Sequence, residues 1–195
     1  MDKSAQIAYF DERAETWDEI CSHNPDKLRT LVTLCGIAPG ARVLDVGCGT
    51  GVLTPYLLER QPKQVVGVDF SPRMIALAKQ KCDDARVEYR CQDVMELSDG
   101  EFDLAVVYSA FPHFENRGSL IRQLHHLLLP GGRVMICHSQ GRSEINALHQ
   151  GSAPGLSMPL PAAQTLAHTL APCFDVDLAV DTPALYAVSG VSCML

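Results

Sequence analysis

Long apolar runs, paired cysteines and an excess of positive charge are all missing from this chain. No uninterrupted apolar stretch in its 195 residues approaches the roughly 20 that a membrane-spanning helix needs. The N-terminal stretch MDKSAQIAYFDERAETWDEI is charged throughout and has no signal-peptide core. Cysteines stand at 21, 35, 48, 82, 91, 137, 173 and 193, never in the CxxC spacing of a redox or zinc motif. They read as reduced thiols in a cytoplasmic protein, and only two residues follow Cys193, too few for a prenylation box. Lys and Arg number 16 against 23 Asp and Glu, a net charge of −7. Phosphate binding usually needs a basic face, so this balance argues against a nucleic-acid partner.

What is present is ordinary for one globular domain: 47% hydrophobic and 20% charged residues. Residues 4–21 carry Ile7, Phe10, Ala14 and Trp17 at helical spacing. Pro25 opens a second helix to about Cys35, and GIAPGA breaks it. An alternation follows. RVLDV, QVVGVDF, RVEYRC, FDLAVVYSA and GGRVMICHS read as strands. GVLTPYLLER, RMIALAKQKC and GSLIRQLHHLLL read as helices, the middle one opened by the cap Ser71-Pro72. Strands separated by helix-length segments imply βαβ units and a parallel sheet covered on both faces, an α/β doubly wound fold. After two more short helices, GRSEINALHQ and AAQTLAHTLA, the stretches FDVDLAV and ALYAVSG are close enough to pair as an antiparallel hairpin.

In such a sheet, ligands bind beyond the carboxyl ends of the strands, at the switch point. There the chain reads LDVGCGTGV. Gly47, Gly49 and Gly51 give GxGxG, and Val52 stands where a dinucleotide fingerprint would place its last glycine. Asp45, at the end of the first strand, opposes a pyrophosphate and favours a cationic group. That counts against a nicotinamide oxidoreductase and for S-adenosylmethionine, with its sulfonium and ammonium. Asp69 ends the second strand and can accept both ribose hydroxyls. Asp93 follows the third and can accept from the adenine amino group, with Phe70 and Met74 on the ring faces.

With these residues in place, the sequence resembles the class I S-adenosylmethionine-dependent methyltransferases, particularly the small UbiE-like group. The matching pieces are VLDVGCGTGVL, VVGVDFSPRMIALAK, CQDV, FDLAVV and LLLPGGRVMI, in order over roughly residues 5–190. The resemblance implies a Rossmann-like sheet of seven strands with an antiparallel last strand. It implies a single methyltransferase domain, with lid helices over 1–38 and the core over 39–195. It also implies a cofactor site lined by Asp45, Gly47, Gly49, Gly51, Asp69 and Asp93, with Val94 of CQDV and Ser109 beside them.

Three stretches should face the methyl group. Tyr9, Phe10 and Trp17 of the N-terminal helix can close it as a lid, or simply pack that helix onto the sheet. In YSAFPHFEN, Phe111, His113 and Phe114 follow the fourth strand. This segment lacks the Asn/Asp-Pro-Pro-aromatic motif of many enzymes that methylate exocyclic amines. In CHSQGRSEINALHQ, His138 ends the fifth strand, and Arg142, Asn146 and His149 share a helix face. His113, His138 and His149 can serve as general base, substrate clamp or capping network. No short His/Cys ligand spacing supports a metal, and His125 and His126 read as solvated. Cys137 should point away from His138. The expectation is a cytoplasmic enzyme that moves a methyl group from S-adenosylmethionine to a small-molecule acceptor. A methyltransferase for protein or nucleic acid, or a non-catalytic S-adenosylmethionine-binding protein, is the alternative.

Overall fold

The computed structural model describes residues 1–152 and 155–193. Seven strands form one sheet: β1 (Arg42–Val46), β2 (Gln64–Asp69), β3 (Val87–Cys91), β4 (Phe102–Tyr108), β5 (Leu128–His138), β6 (Phe174–Asp181) and β7 (Tyr186–Ser192). Their order across the sheet is β3-β2-β1-β4-β5-β7-β6. The first five pair in parallel, and β7 runs antiparallel to both β5 and β6. The expected terminal hairpin is therefore present, and its second strand is inserted between β5 and β6. The chain order reverses at β1, between β2 and β4, which sets the carboxyl ends of those strands at the mouth of a crevice.

Among the described residues there are eight α-helices: α1 (Lys3–Arg13), α2 (Trp17–Ile20), α3 (Pro25–Leu34), α4 (Thr54–Leu58), α5 (Pro72–Lys81), α6 (Arg117–Leu127), α7 (Arg142–Ser152) and α8 (Ala163–Leu170). The strand side chains alternate, so each strand feeds two cores. Val43, Val65, Leu104, Val106 and Met135 meet Leu28, Leu31 and Val32 of α3 and Leu57 of α4. Leu44, Val66, Ala105, Val107 and Ile136 meet Leu120 and Leu124 of α6, Ile145 of α7 and Leu166 and Leu170 of α8. Cys137 falls in the first core, while His138 faces the second side, as alternation requires. Among the described residues no helix is long and apolar enough to cross a membrane.

Three elements differ from the sequence expectation. The N-terminal helix is broken by a 3-10 turn at Ala14–Thr16. The helix after the glycine loop keeps only Thr54–Leu58, because turns occupy residues 49–53. His125 is not solvated: its Nε2 lies 3.1 Å from the Cys193 carbonyl, and its ring packs edge-on against Phe174. A helical apolar face says which way a residue points, not which terminal strand will arrive beside it.

Leu124 is fully buried between α6 and the sheet. Leu124→Ala leaves a cavity there and is expected to lower stability by about 2–5 kcal/mol. A urea titration should show a lower midpoint with little change in slope.

Candidate functional site

The site begins where β1 ends. Gly47 and Gly51 hold φ of +66° and +80°, and a side chain at either would meet a neighbour. At Gly47 a Cβ would sit 2.6 Å from the Ala110 Cβ; at Gly51 it would sit 2.6 Å from the Tyr89 hydroxyl. Tyr89 reaches in from β3 and bonds Thr54 Oγ1 at 2.8 Å, propping the loop from beneath. Ala110 comes from the segment after β4, so the loop is pinned from both sides.

The three expected acids converge there in different states. Asp45 is buried at the end of β1, and its Oδ2 has no hydrogen-bond partner. Burial, and then the charge of Asp69, push its pKa up to about 7. Asp69 accepts from Gly49 N at 3.0 Å and Ser71 N at 2.8 Å. Burial raises it to about 6, against the pull of those two amides. Asp93 caps a 3-10 turn by accepting from Met95 N at 2.9 Å, and its other oxygen pairs with Lys3 at 2.7 Å. Val94 is buried behind it. Phe70 is half-buried at the site, and Met74 is buried in the first turn of α5. Ser109 takes a φ of +53°, with its amide donating to the Cys137 carbonyl at 2.9 Å.

The N-terminal helices lie across these loops. Phe10 is the hub: its ring meets Tyr9 at 5.3 Å, Trp17 at 5.4 Å, Phe70 at 6.0 Å and His113 at 5.0 Å. Sequence reasoning named these rings but missed the polar contacts that fasten them. Asp11 accepts from Ser71 Oγ at 2.5 Å, Asp18 accepts from Thr50 Oγ1 at 2.6 Å and also pairs with Lys81, and Lys3 takes Asp93. Gln6 is buried and donates to the carbonyls of His113, at 3.0 Å, and Leu156, at 2.9 Å. Gln6 had a legible signal, as a polar residue on the helical stripe with Phe10 and Ala14. Asp11 and Asp18 had none, because their partners are 60 and 32 residues away.

On the substrate side the histidines come together. His113 Nε2 lies 3.3 Å from His149 Nε2. His138 is fully buried, neither ring nitrogen has a partner, and its ring stands 6.0 Å from that of Tyr186. Burial lowers His113 to about 4 and His138 to about 3, so both rings are neutral at pH 7. The other expected contacts are engaged elsewhere. Arg142 pairs with Asp181 at 2.7 Å, and Asn146 binds both the amide and the carbonyl of Leu160. Phe111 is buried under Arg117 and Phe114 is half-buried beside the same core. Sequence reasoning also missed Tyr108, whose hydroxyl joins His23 Nδ1 at 2.7 Å and Ser139 Oγ at 2.8 Å. Among the described residues no group of three His, Cys, Asp or Glu is placed to hold a metal.

This donor set fits S-adenosylmethionine. A buried carboxylate oxygen without a partner suits a cation, and positive-φ glycines let a ligand approach the main chain. Comparison with known proteins agrees. Residues 44–136 match the family model described as a methyltransferase domain. The chain is 29% identical over 153 residues to a malonyl-[acyl-carrier protein] O-methyltransferase of Acetivibrio thermocellus, covering 76% of this chain and 54% of that one. It is 31% identical over 144 residues to a ubiquinone biosynthesis O-methyltransferase of Pseudomonas aeruginosa, covering 68% and 61%. The chain thus spans little more than half the length of these curated relatives. Magnesium protoporphyrin IX methyltransferase of Synechocystis, solved with bound SAH, superimposes with a TM-score of 0.73 at 20% identity, over 98% of this chain and all of that one.

The raised carboxylates make stability depend on pH. A native pKa above the unfolded value means that the native state binds more protons, so stability falls as pH rises through that interval. For Asp45 the interval runs from 3.8 to about 7. The lowered histidines act oppositely below 6.5, so a mutant difference is needed to isolate the carboxylate. Asp45→Asn is expected to gain stability relative to wild type as pH goes from 4 to 7.5, read as the difference between paired urea midpoints. A difference that stays flat across that range would contradict the assignment.

Proposed function

We propose that the chain is a class I S-adenosylmethionine-dependent methyltransferase, a reading supported by the match of residues 44–136 to a methyltransferase domain, and that it transfers a methyl group to a small-molecule acceptor by in-line displacement. The observation that carries this reading is the set of three acids ending successive strands around a glycine loop, with Asp45 Oδ2 buried and unpartnered. When bound, S-adenosylmethionine supplies a methyl carbon on a positively charged sulfur, already activated for attack. The protein's part is to hold the reacting atoms in line at about 3 Å and to exclude water.

Each residue has a definite share. Asp69 receives the ribose hydroxyls while its bonds to Gly49 and Ser71 keep the carboxylate oriented. Asp93 receives the adenine amino group, for which Lys3 must yield its place. Asp45 balances the ammonium of the methionine tail, where ionisation of a carboxylate raised to about 7 is favoured by the incoming cation. The helices within residues 1–38 form the lid, with Phe10 and Trp17 keeping water out.

Small acceptors are favoured because recognition falls to the lid and to the segments after β4 and β5. The ubiquinone biosynthesis O-methyltransferase relative points the same way. The net charge of −7 disfavours nucleic acid. All eight cysteines are free, which fits a reducing cytoplasm.

Calorimetry should find S-adenosylmethionine and S-adenosylhomocysteine bound, with Asp69→Ala weakening both about 10- to 100-fold, the cost of losing hydrogen bonds to a charged group. Binding NAD more tightly than S-adenosylmethionine would sink the reading. Donor labelled in the methyl group, incubated with a metabolite extract, should pass label to a small molecule. Tight donor binding with no transfer would leave a binding protein rather than an enzyme.

A further inference from the structure

The histidine pair has a property that follows from its main-chain contacts. His113 Nδ1 lies 3.0 Å from the Leu156 carbonyl oxygen, and His149 Nδ1 lies 2.8 Å from the Ile145 carbonyl oxygen. A carbonyl oxygen only accepts, so each Nδ1 carries the ring hydrogen. A neutral imidazole has one hydrogen, so each Nε2 then presents a lone pair. Those two lone pairs face each other at 3.3 Å. Two acceptors at that distance repel, and a single proton between them turns the contact into a hydrogen bond.

The surroundings admit one proton and resist two. Tight packing restrains the rings: Phe10 stands edge-on to His113 at 5.0 Å, and the two imidazoles meet at 61° with centroids 5.0 Å apart. Behind them His138 is fully buried, and its charge interactions are with these two rings. A second positive charge would sit directly beside the first, at the 3.3 Å contact of the two rings. In front, a pocket of about 170 Å³ is lined by His113 together with Phe70, Asp93 and Glu115, so the His113 side of the pair borders the residues assigned to the methyl donor.

We propose that His113 and His149 form a single proton-accepting unit, and that the acceptor is therefore one whose nucleophilic oxygen or nitrogen carries a proton to give up. This rests on the methyltransferase reading above. In the step, the acceptor's O–H or N–H bond breaks and its proton passes to the paired Nε2 atoms. The electron pair of that oxygen or nitrogen forms the new bond to the methyl carbon, and the S–CH3 bonding pair stays on sulfur. Charge balances, since the sulfonium becomes a neutral thioether and the pair becomes a monocation. The buried His138 is a neighbour of the pair, not the group that meets the acceptor.

The test is nitrogen NMR on protein labelled in its histidines, titrated without ligand. The expected result is a bare Nε2 on both rings at high pH, followed by uptake of one proton that moves both Nε2 signals with a common midpoint. His149→Ala should leave His113 with a different midpoint, and His138→Phe should leave the common midpoint in place. An Nε2–H form on either ring at high pH, or two separate midpoints, overturns the unit. Turnover of the labelled product from the extract should fall about 100- to 10,000-fold in His113→Ala, equally in His149→Ala, and no further in the double variant. Losses that multiply in the double variant, or a product methylated on a thioether sulfur or a tertiary amine, overturn the proposal while leaving the methyltransferase reading intact. Donor that binds but yields no labelled product overturns that reading and the acceptor class with it, and the titration still decides the pair.

Discussion

Close approach of main chain to side chain at the end of β1 is the constraint from which the rest follows. Ala110 fills the space beside Gly47, and the Tyr89 hydroxyl fills the space beside Gly51. The loop therefore has one path across the top of the sheet. That path aims the Gly49 amide at Asp69 and leaves Asp45 sealed beneath, with one oxygen unanswered. Two carboxylates held this close are costly to ionise, and the cost is a store of affinity for a cation. Packing, electrostatics and ligand preference are consequences of the same few ångströms.

The N-terminal helices extend this economy. Three of their charged residues reach the loops beneath them. Asp11 holds the cap of α5, Asp18 holds Thr50 of the glycine loop, and Lys3 occupies Asp93. The proposed lid is thus fastened to the loops assigned to the cofactor. An ion pair with one partner open to solvent, such as Lys3–Asp93, contributes modestly to stability, which suits a contact proposed to exchange for a ligand.

Much of this was legible in the sequence, for reasons that can be located. The strands of the sheet are buried on both faces, so RVLDV and QVVGVDF read as short apolar runs, and the acids that end them stand out by contrast. Ser71-Pro72 announced α5 because capping is a local interaction. The insertion of β7 between β5 and β6 was half legible: hairpin spacing gave the pairing, while the partner strand depended on a distant contact. The histidines could be named as neighbours, but not in their relation to one another. That relation depends on the Leu156 carbonyl, held in place by Gln6, 150 residues away in the chain, and on a neighbouring segment where Met158 N donates to Pro112 O at 2.7 Å. Arg142 and Asn146 shared a helix face as expected, and tertiary structure sent each to a different partner.

The groups that fix the tautomers of His113 and His149 are peptide oxygens of Leu156 and Ile145. Every residue type has such an oxygen. A substitution at 156 keeps that oxygen, and so does one at 145 that still fills the core. Lengthening or shortening the segment that carries position 156 would move it. In this corner of the molecule main-chain geometry counts before residue identity, and a comparison of letters alone would pass over the atoms that matter.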